Sequence, residues 1–181
     1  THNLPLKSGK GSIYEGGIRV PMLAYWPGRT APASENSTPL IIEDFFPSIL
    51  EMADVDSAEL PQTLDGMSFV SLLEEHSLKV EDRPLYWHYP NAWGPSGPGI
   101  GSYSAVREGP WKLIYFHEDQ RLELYHLPSD IGEVNNLAEE NREQTLKLAQ
   151  TLTEHLIKVY AQMPKFKATG EQVPWPVAVL Q

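Results

Sequence analysis

The sequence predicts an α+β fold: a four-stranded antiparallel sheet packed by one long C-terminal helix. Three observations carry that expectation. From Pro84 onward the apolar pattern drops to a period of two and holds it through four consecutive segments. A stripe at helical spacing then runs through residues 141–163. Strands in a run followed by a helix, rather than alternating with helices, separate the two kinds of element into two layers.

Taken in order, residues 18–26 are expected to form a buried strand through Val20, Met22, Leu23, Ala24 and Trp26, with Pro21 marking an edge or a strand start. Pro27-Gly28 punctuates a turn, and residues 29–39 are a polar loop. Ile41, Ile42, Phe45, Phe46, Ile49, Leu50 and Met52 then recur at helical spacing. Pro47 suits only a first turn, so the helix should start near Asp44, with that carboxylate as its cap. A second short helix is expected within residues 65–75, apolar at Phe69, Val70, Leu72 and Leu73.

The four strands are expected at residues 84–89, 102–108, 111–116 and 121–127, the last two joined as a hairpin by the turn 117–120. Between the first two, residues 90–101 are expected to form a Gly/Pro-rich loop carrying Trp93, long for a tight connection and therefore either mobile or functional. In the long helix Ala149, Leu152, Leu156, Val159, Tyr160 and Met163 share a stripe opposite Gln150, Glu154 and Lys158, and Pro164 is expected to end it. The three-proline tail should run over the surface with Trp175 as an anchor.

Composition narrows the function. The 181 residues suit one domain with appendages, large enough to bury about 70% of the unfolded surface. Lys+Arg of 14 against Asp+Glu of 24 gives a net charge of −10, which argues against nucleic acid or an anionic membrane as partner, since both need a basic face. No apolar run approaches the ~20 residues of a membrane span. Without cysteine there is no disulfide, thiolate metal site or cysteine nucleophile.

The most informative motif is Ser8-Gly9-Lys10-Gly11-Ser12-Ile13-Tyr14-Glu15-Gly16-Gly17-Ile18-Arg19-Val20-Pro21. Glycines let the backbone bend tightly and approach a ligand, and a lysine on such a loop is a point charge that can be aimed at an anion. It is not a nucleotide P-loop: Lys10 is followed by Gly11 rather than Ser or Thr, and no strand precedes it. The alternative is a solvated surface loop.

The ordered string Gly-Lys-Gly-x-x-Tyr-Glu-Gly-Gly-x-Arg-x-Pro resembles the lysine loop of the sulfatases, formylglycine-dependent hydrolases of the alkaline-phosphatase superfamily. Further segments resemble the same family in the same order: Asp44-Phe45-Phe46-Pro47-Ser48-Ile49-Leu50-Glu51-Met52-Ala53, Leu64-Asp65-Gly66-Met67-Ser68-Phe69, Arg83-Pro84-Leu85-Tyr86-Trp87-His88-Tyr89, Ser104-Ala105-Val106-Arg107-Glu108-Gly109-Pro110-Trp111-Lys112-Leu113-Ile114, and Glu123-Leu124-Tyr125-His126-Leu127 with Asp130, Glu133 and Asn136-Leu137-Ala138. The resemblance covers roughly residues 4–160. It implies that residues 1–80 are the end of an α/β catalytic domain, that 81–163 form the C-terminal sheet-and-helix subdomain, and that 164–181 are a Pro-rich tail.

The resemblance also implies what the chain lacks. The family's nucleophile is a formylglycine made from Cys or Ser in Cys/Ser-x-Pro-x-Arg, and the nearest match, Ser96-Gly97-Pro98-Gly99-Ile100, has isoleucine in place of the arginine. The family's calcium site needs a cluster of Asp and Asn oxygens, and the acidic run Asp54-Val55-Asp56-Ser57-Ala58-Glu59 lacks the spacing of a calcium loop and reads as a solvated turn. Formylglycine and calcium are therefore expected from a missing N-terminal part, with no cofactor in this chain, which reads as the inactive C-terminal fragment of a periplasmic or secreted sulfatase.

Lys10 matches the family lysine that contacts the sulfate and is the expected catalytic residue. His88, beside the Gly/Pro loop, and Trp93 within it are the expected substrate-binding residues; each also has a plain core reading. Tyr14 and Glu15 are expected to brace the loop, Arg19 to pair with a carboxylate or carbonyls, and His117 to be solvated on its turn; His2 is assigned no role. Expected partners are a sulfate ester, sulfated carbohydrates among them, the missing N-terminal catalytic portion, and a second copy of the fragment as a homodimer. Two alternatives stay open: a related phosphodiesterase or phosphonate monoester hydrolase, and a non-catalytic carbohydrate-binding module anchored by Trp93 and Trp175.

Overall fold

The computed structural model describes residues 2–56, 60–76, 78, 82–91 and 96–180. The four period-two segments form one antiparallel sheet in sequential order: β1 Leu85–Tyr89, β2 Tyr103–Glu108, β3 Trp111–Phe116 and β4 Leu122–His126. The register places Ala105 opposite Ile114 and Lys112 opposite Tyr125. Alternation then sorts the side chains onto two faces. Val106, Leu113, Tyr115 and Leu124 lie on one; Ala105, Ile114, Phe116 and Tyr125 lie on the other. Both faces are covered, which is why β3 is buried almost without interruption.

The first face carries α4, Arg142–Lys158. Asn141 caps it by accepting the Gln144 N–H at 3.3 Å. Leu148, Ala149, Leu152 and Leu156 are its buried stripe. Val159 and Tyr160, expected on that stripe, are 52% and 93% exposed. The helix stops at Lys158, well before Pro164, in a Schellman motif. Ala161 N–H donates to Leu156 C=O at 2.8 Å and Tyr160 N–H to Ile157 C=O at 3.1 Å, with Tyr160 at φ 53°. Left-handed backbone at Tyr160 takes both residues out of helical phase.

The tail does not merely cross the surface. Val173 is buried, and Trp175 and the 3₁₀ turn Pro176–Leu180 pack into the same core. Tyr115 OH donates to Pro174 C=O at 3.0 Å, and Val177 N–H to Thr153 Oγ1 at 3.1 Å.

The second face carries residues 2–20, which group with 82–181 as one compact unit rather than with residues 21–81. Ile13 and Tyr14 pack on Ala105, Ile114, Phe116 and Tyr125. The second unit, residues 21–81, holds a 3₁₀ turn Ile42–Asp44, α2 Phe45–Met52 and α3 Val70–Glu74. Asp44 is buried, but it does not cap α2. Its carboxylate accepts from Ile41 N–H and Met67 N–H, both at 2.9 Å, and so closes the 3₁₀ turn and ties it to the 66–68 segment.

The strand expected at 18–26 is not formed. Residues 15–18 are instead a single helical turn, α1 Glu15–Ile18. Val20 and Leu23 are 77% and 98% exposed. A strand exists only through ladder bonds to a neighbour, and among the described residues no backbone hydrogen bond reaches 20–25. No helix among the described residues is long and apolar enough to cross a membrane.

Candidate functional site

Lys10 stands exposed at the crest of its loop, between buried Gly9 and Gly11 at φ 90°. Among the described residues no hydrogen bond or ion pair engages its ammonium group. Everything beneath it is tied down. Ser12 N–H donates back to Gly9 C=O at 3.1 Å and Ile13 N–H to Gly99 C=O at 2.9 Å. Ser8 and Ser12 hydroxyls both donate to Pro98 C=O, at 3.0 and 2.9 Å. Gly99, at φ +70°, lies so close that a Cβ there would overlap Ser12 Oγ and the Tyr14 ring. The Gly16-Gly17 pair is required for the same reason: a Cβ on either would strike the backbone carbonyls of residues 7–8 or 12.

Below the loop lies a buried polar layer. Lys112, fully buried as the second residue of β3, donates to Ile13 C=O at 2.8 Å and to Glu15 Oε1 and Glu133 Oε1, each at 2.9 Å. Glu133 Oε2 accepts the Glu15 N–H at 2.6 Å. Burial raises the Glu133 carboxyl above the usual range, against the pull of Lys112. Tyr14 and Tyr125 hydroxyls donate to Glu123 Oε2 at 2.7 and 2.8 Å. Burial, then the bond to Glu123, drives both phenols upward. Lys7 sits 3.9 Å over the Tyr14 ring and donates to Glu133 C=O at 2.8 Å. Tyr14 and Glu15 thus brace the loop as expected, and Arg19, half-exposed, pairs with the Glu15 carboxylate at 4.0 Å.

His88 lies on the opposite face, the one that carries α4. Its Nδ1 contacts Ser104 Oγ at 2.9 Å and its Nε2 contacts Gln162 C=O at 3.2 Å. Burial lowers its pKa, against the Gln162 contact. The structure does not bring it together with Lys10. His117 is not solvated, contrary to the sequence reading: it is 1% exposed, with Nε2 on Ser104 Oγ at 2.8 Å and Nδ1 on Ser102 Oγ at 2.7 Å. Burial, then the neighbouring His88, holds its pKa down at about 3. Trp93 lies outside the described residues.

Sequence reasoning overlooked Lys112 and Glu133 as working parts. Lys112 shares its strand face with Ile114 and Phe116, and a charge on a buried face calls for a buried partner. That alternation was the available signal. As for calcium, no group of three or more His, Cys, Asp or Glu among the described residues could hold a metal ion. The donors present among the described residues do not fit it.

The chain belongs to the family described as N-sulphoglucosamine sulphohydrolase, C-terminal, which it matches over residues 9–162. It is 36% identical to a sulfatase of Formosa agariphila over 97% of this chain and 34% of that one. It is 31% identical to human arylsulfatase A, over 92% of this chain and 36% of that one. Among solved structures it resembles Ps i-CgsB in complex with k-i-k-neocarrahexaose, with TM-score 0.69 and 27% identity, covering 85% of this chain and 32% of that one. The chain therefore spans about a third of the length of these relatives.

Proposed function

We propose that this chain supplies the C-terminal part of a sulfatase that hydrolyses sulfate esters, sulfated carbohydrates among them, with Lys10 as the cation that holds the sulfate. The sulfatase relatives support sulfate esters as the substrate class, and the hexaose bound to Ps i-CgsB supports a carbohydrate. The observation that carries the role of Lys10 is its free ammonium on a crest whose base is fixed from both sides. In this reading the formylglycine nucleophile and the calcium ligands stand on a preceding part of a longer chain, the isolated chain has no turnover, and the enzyme works in the periplasm or after secretion.

The chemistry asks for such a lysine. As the S–O ester bond breaks, negative charge grows on the leaving oxygen and on the non-bridging oxygens. A cation fixed beforehand stabilises that charge more than it stabilises the ground state, so it raises kcat as well as affinity. His88 is given no part in that contact, because both ring nitrogens are engaged within the fold and the ring lies across the sheet from the loop.

The test uses the full-length enzyme. Lys10→Ala is expected to lower kcat about 10²–10³-fold, the usual cost of removing one preorganised charge-stabilising contact. Lys10→Arg should restore little, since a planar fork differs in reach and shape from a compact ammonium. Parental kcat/KM for Lys10→Ala on the best sulfate ester would refute the assignment. A higher kcat/KM on phosphate diesters or phosphonate monoesters than on sulfate esters would move the enzyme to a neighbouring branch of the superfamily.

A further inference from the structure

We propose that Lys112 is a positioning residue for Lys10, fixing the direction of the loop from inside the sheet; this rests on reading Lys10 as the sulfate-binding cation. Lys112 has three N–H donors, and all three are used: on Ile13 C=O, Glu15 Oε1 and Glu133 Oε1. Two of those acceptors belong to the lysine loop itself, three and five residues beyond Lys10. Glu133 completes the arrangement, since its second oxygen takes the Glu15 N–H at 2.6 Å. One ammonium thus holds the loop to β3, and one carboxylate holds both the ammonium and the first turn of α1.

A purely stabilising role is the competing account, and the physical chemistry disfavours it. A buried ion cluster is a poor source of net stability, because desolvation offsets most of the attraction and well-packed apolar side chains do as well. What an apolar side chain cannot do is fix the direction of a carbonyl and a carboxylate. Lys112 fixes both within five residues of the crest. The opposite side of the loop is fixed by backbone and hydroxyl contacts to Pro98 and Gly99. With the inner anchor gone the crest would pivot on the outer one, and Lys10 would move relative to the sulfate it has to meet.

The experiment is a double-mutant cycle in the full-length enzyme with a sulfate ester as substrate. Lys112→Met should lower kcat about 10²-fold, the scale of a displacement of about 1 Å at a reacting centre. In a Lys10→Ala background the same substitution should change kcat by less than about threefold, because the group it positions is gone. Equal losses in both backgrounds would overturn the proposal and leave Lys112 structural. Parental activity of Lys10→Ala alone would instead overturn the reading of Lys10, a failure visible without any Lys112 variant. If Lys112→Met does not accumulate as folded protein, Glu133→Gln takes its place in the cycle. It keeps the shape, removes one acceptor, and is held to the same two outcomes.

Discussion

His117 makes the stability of the sheet depend on pH in a way that can be isolated. Its imidazole is 1% exposed between two serine hydroxyls, and burial with His88 nearby holds its pKa at about 3 against an ordinary 6.5. The folded value is depressed, so folding favours the neutral ring. The stability this brings is complete above the unfolded value of 6.5 and is lost as pH falls from there toward 3. At about pH 5 the ring is about 1.5 units below its unfolded pKa, and at about 1.4 kcal/mol per unit the loss is about 2 kcal/mol. Urea melts of the parent and of His117→Gln at about pH 7.5 and about pH 5 measure it. The variant should start about 1–3 kcal/mol less stable, through the lost serine contact. Its further loss on acidification should be about 2 kcal/mol smaller than the parent's. The carboxylates, including Glu133 with its opposite sign, titrate in both proteins and cancel in the difference. Equal acid losses in the two proteins would refute the reasoning.

Three further outcomes are expected. Leu156→Ala removes a fully buried side chain from the α4 stripe and should cost about 2–5 kcal/mol in a urea melt; a melt that overlays the parent would mean the helix is not packed there. Gly99→Ala places a Cβ against Ser12 and Tyr14 at a left-handed φ of +70° and should cost about 1–3 kcal/mol. In the full-length enzyme it should also lower kcat, by displacing the loop from the side opposite Lys112; stability and kcat both unchanged would count against that contact. The isolated chain exposes Val20, Leu23 and Tyr25 on unladdered backbone and should self-associate. Light scattering showing a monomer at all concentrations would dispose of that expectation.

The sheet was legible because its signal is local: alternation in Leu85–Tyr89, Tyr103–Glu108, Trp111–Phe116 and Leu122–His126 is visible within each strand. The 18–26 segment carries a strand's apolar content, but pairing is a property of two segments, and the sequence shows only one of them. The long helix was misjudged at its end for a related reason. Tyr160 continues the apolar stripe, while its left-handed backbone is fixed by carbonyls one turn earlier. His117 was read as a turn residue, and the hairpin does begin there, but its N–H donates to Ser102 C=O at 3.0 Å and draws it inward. At the site, the crest lysine was visible as a motif. Its supports, Lys112 and Glu133, are 21 residues apart and meet only through the fold.

Ser102, His117, Ser104 and His88 stand in line between two backbone carbonyls, those of Pro90 and Gln162. The line has five contacts, while two hydroxyls and two neutral imidazoles bring four protons to fill them. One contact is always vacant. With the vacancy at Gln162 both rings carry their proton on Nδ1, and with it at Pro90 both carry it on Nε2. A vacancy on either side of Ser104 instead gives the two rings different tautomers, His117 with its proton on Nδ1 and His88 on Nε2. The proton this row lacks is withheld from the Gln162 carbonyl, from the Pro90 carbonyl, or from one of the three contacts between them.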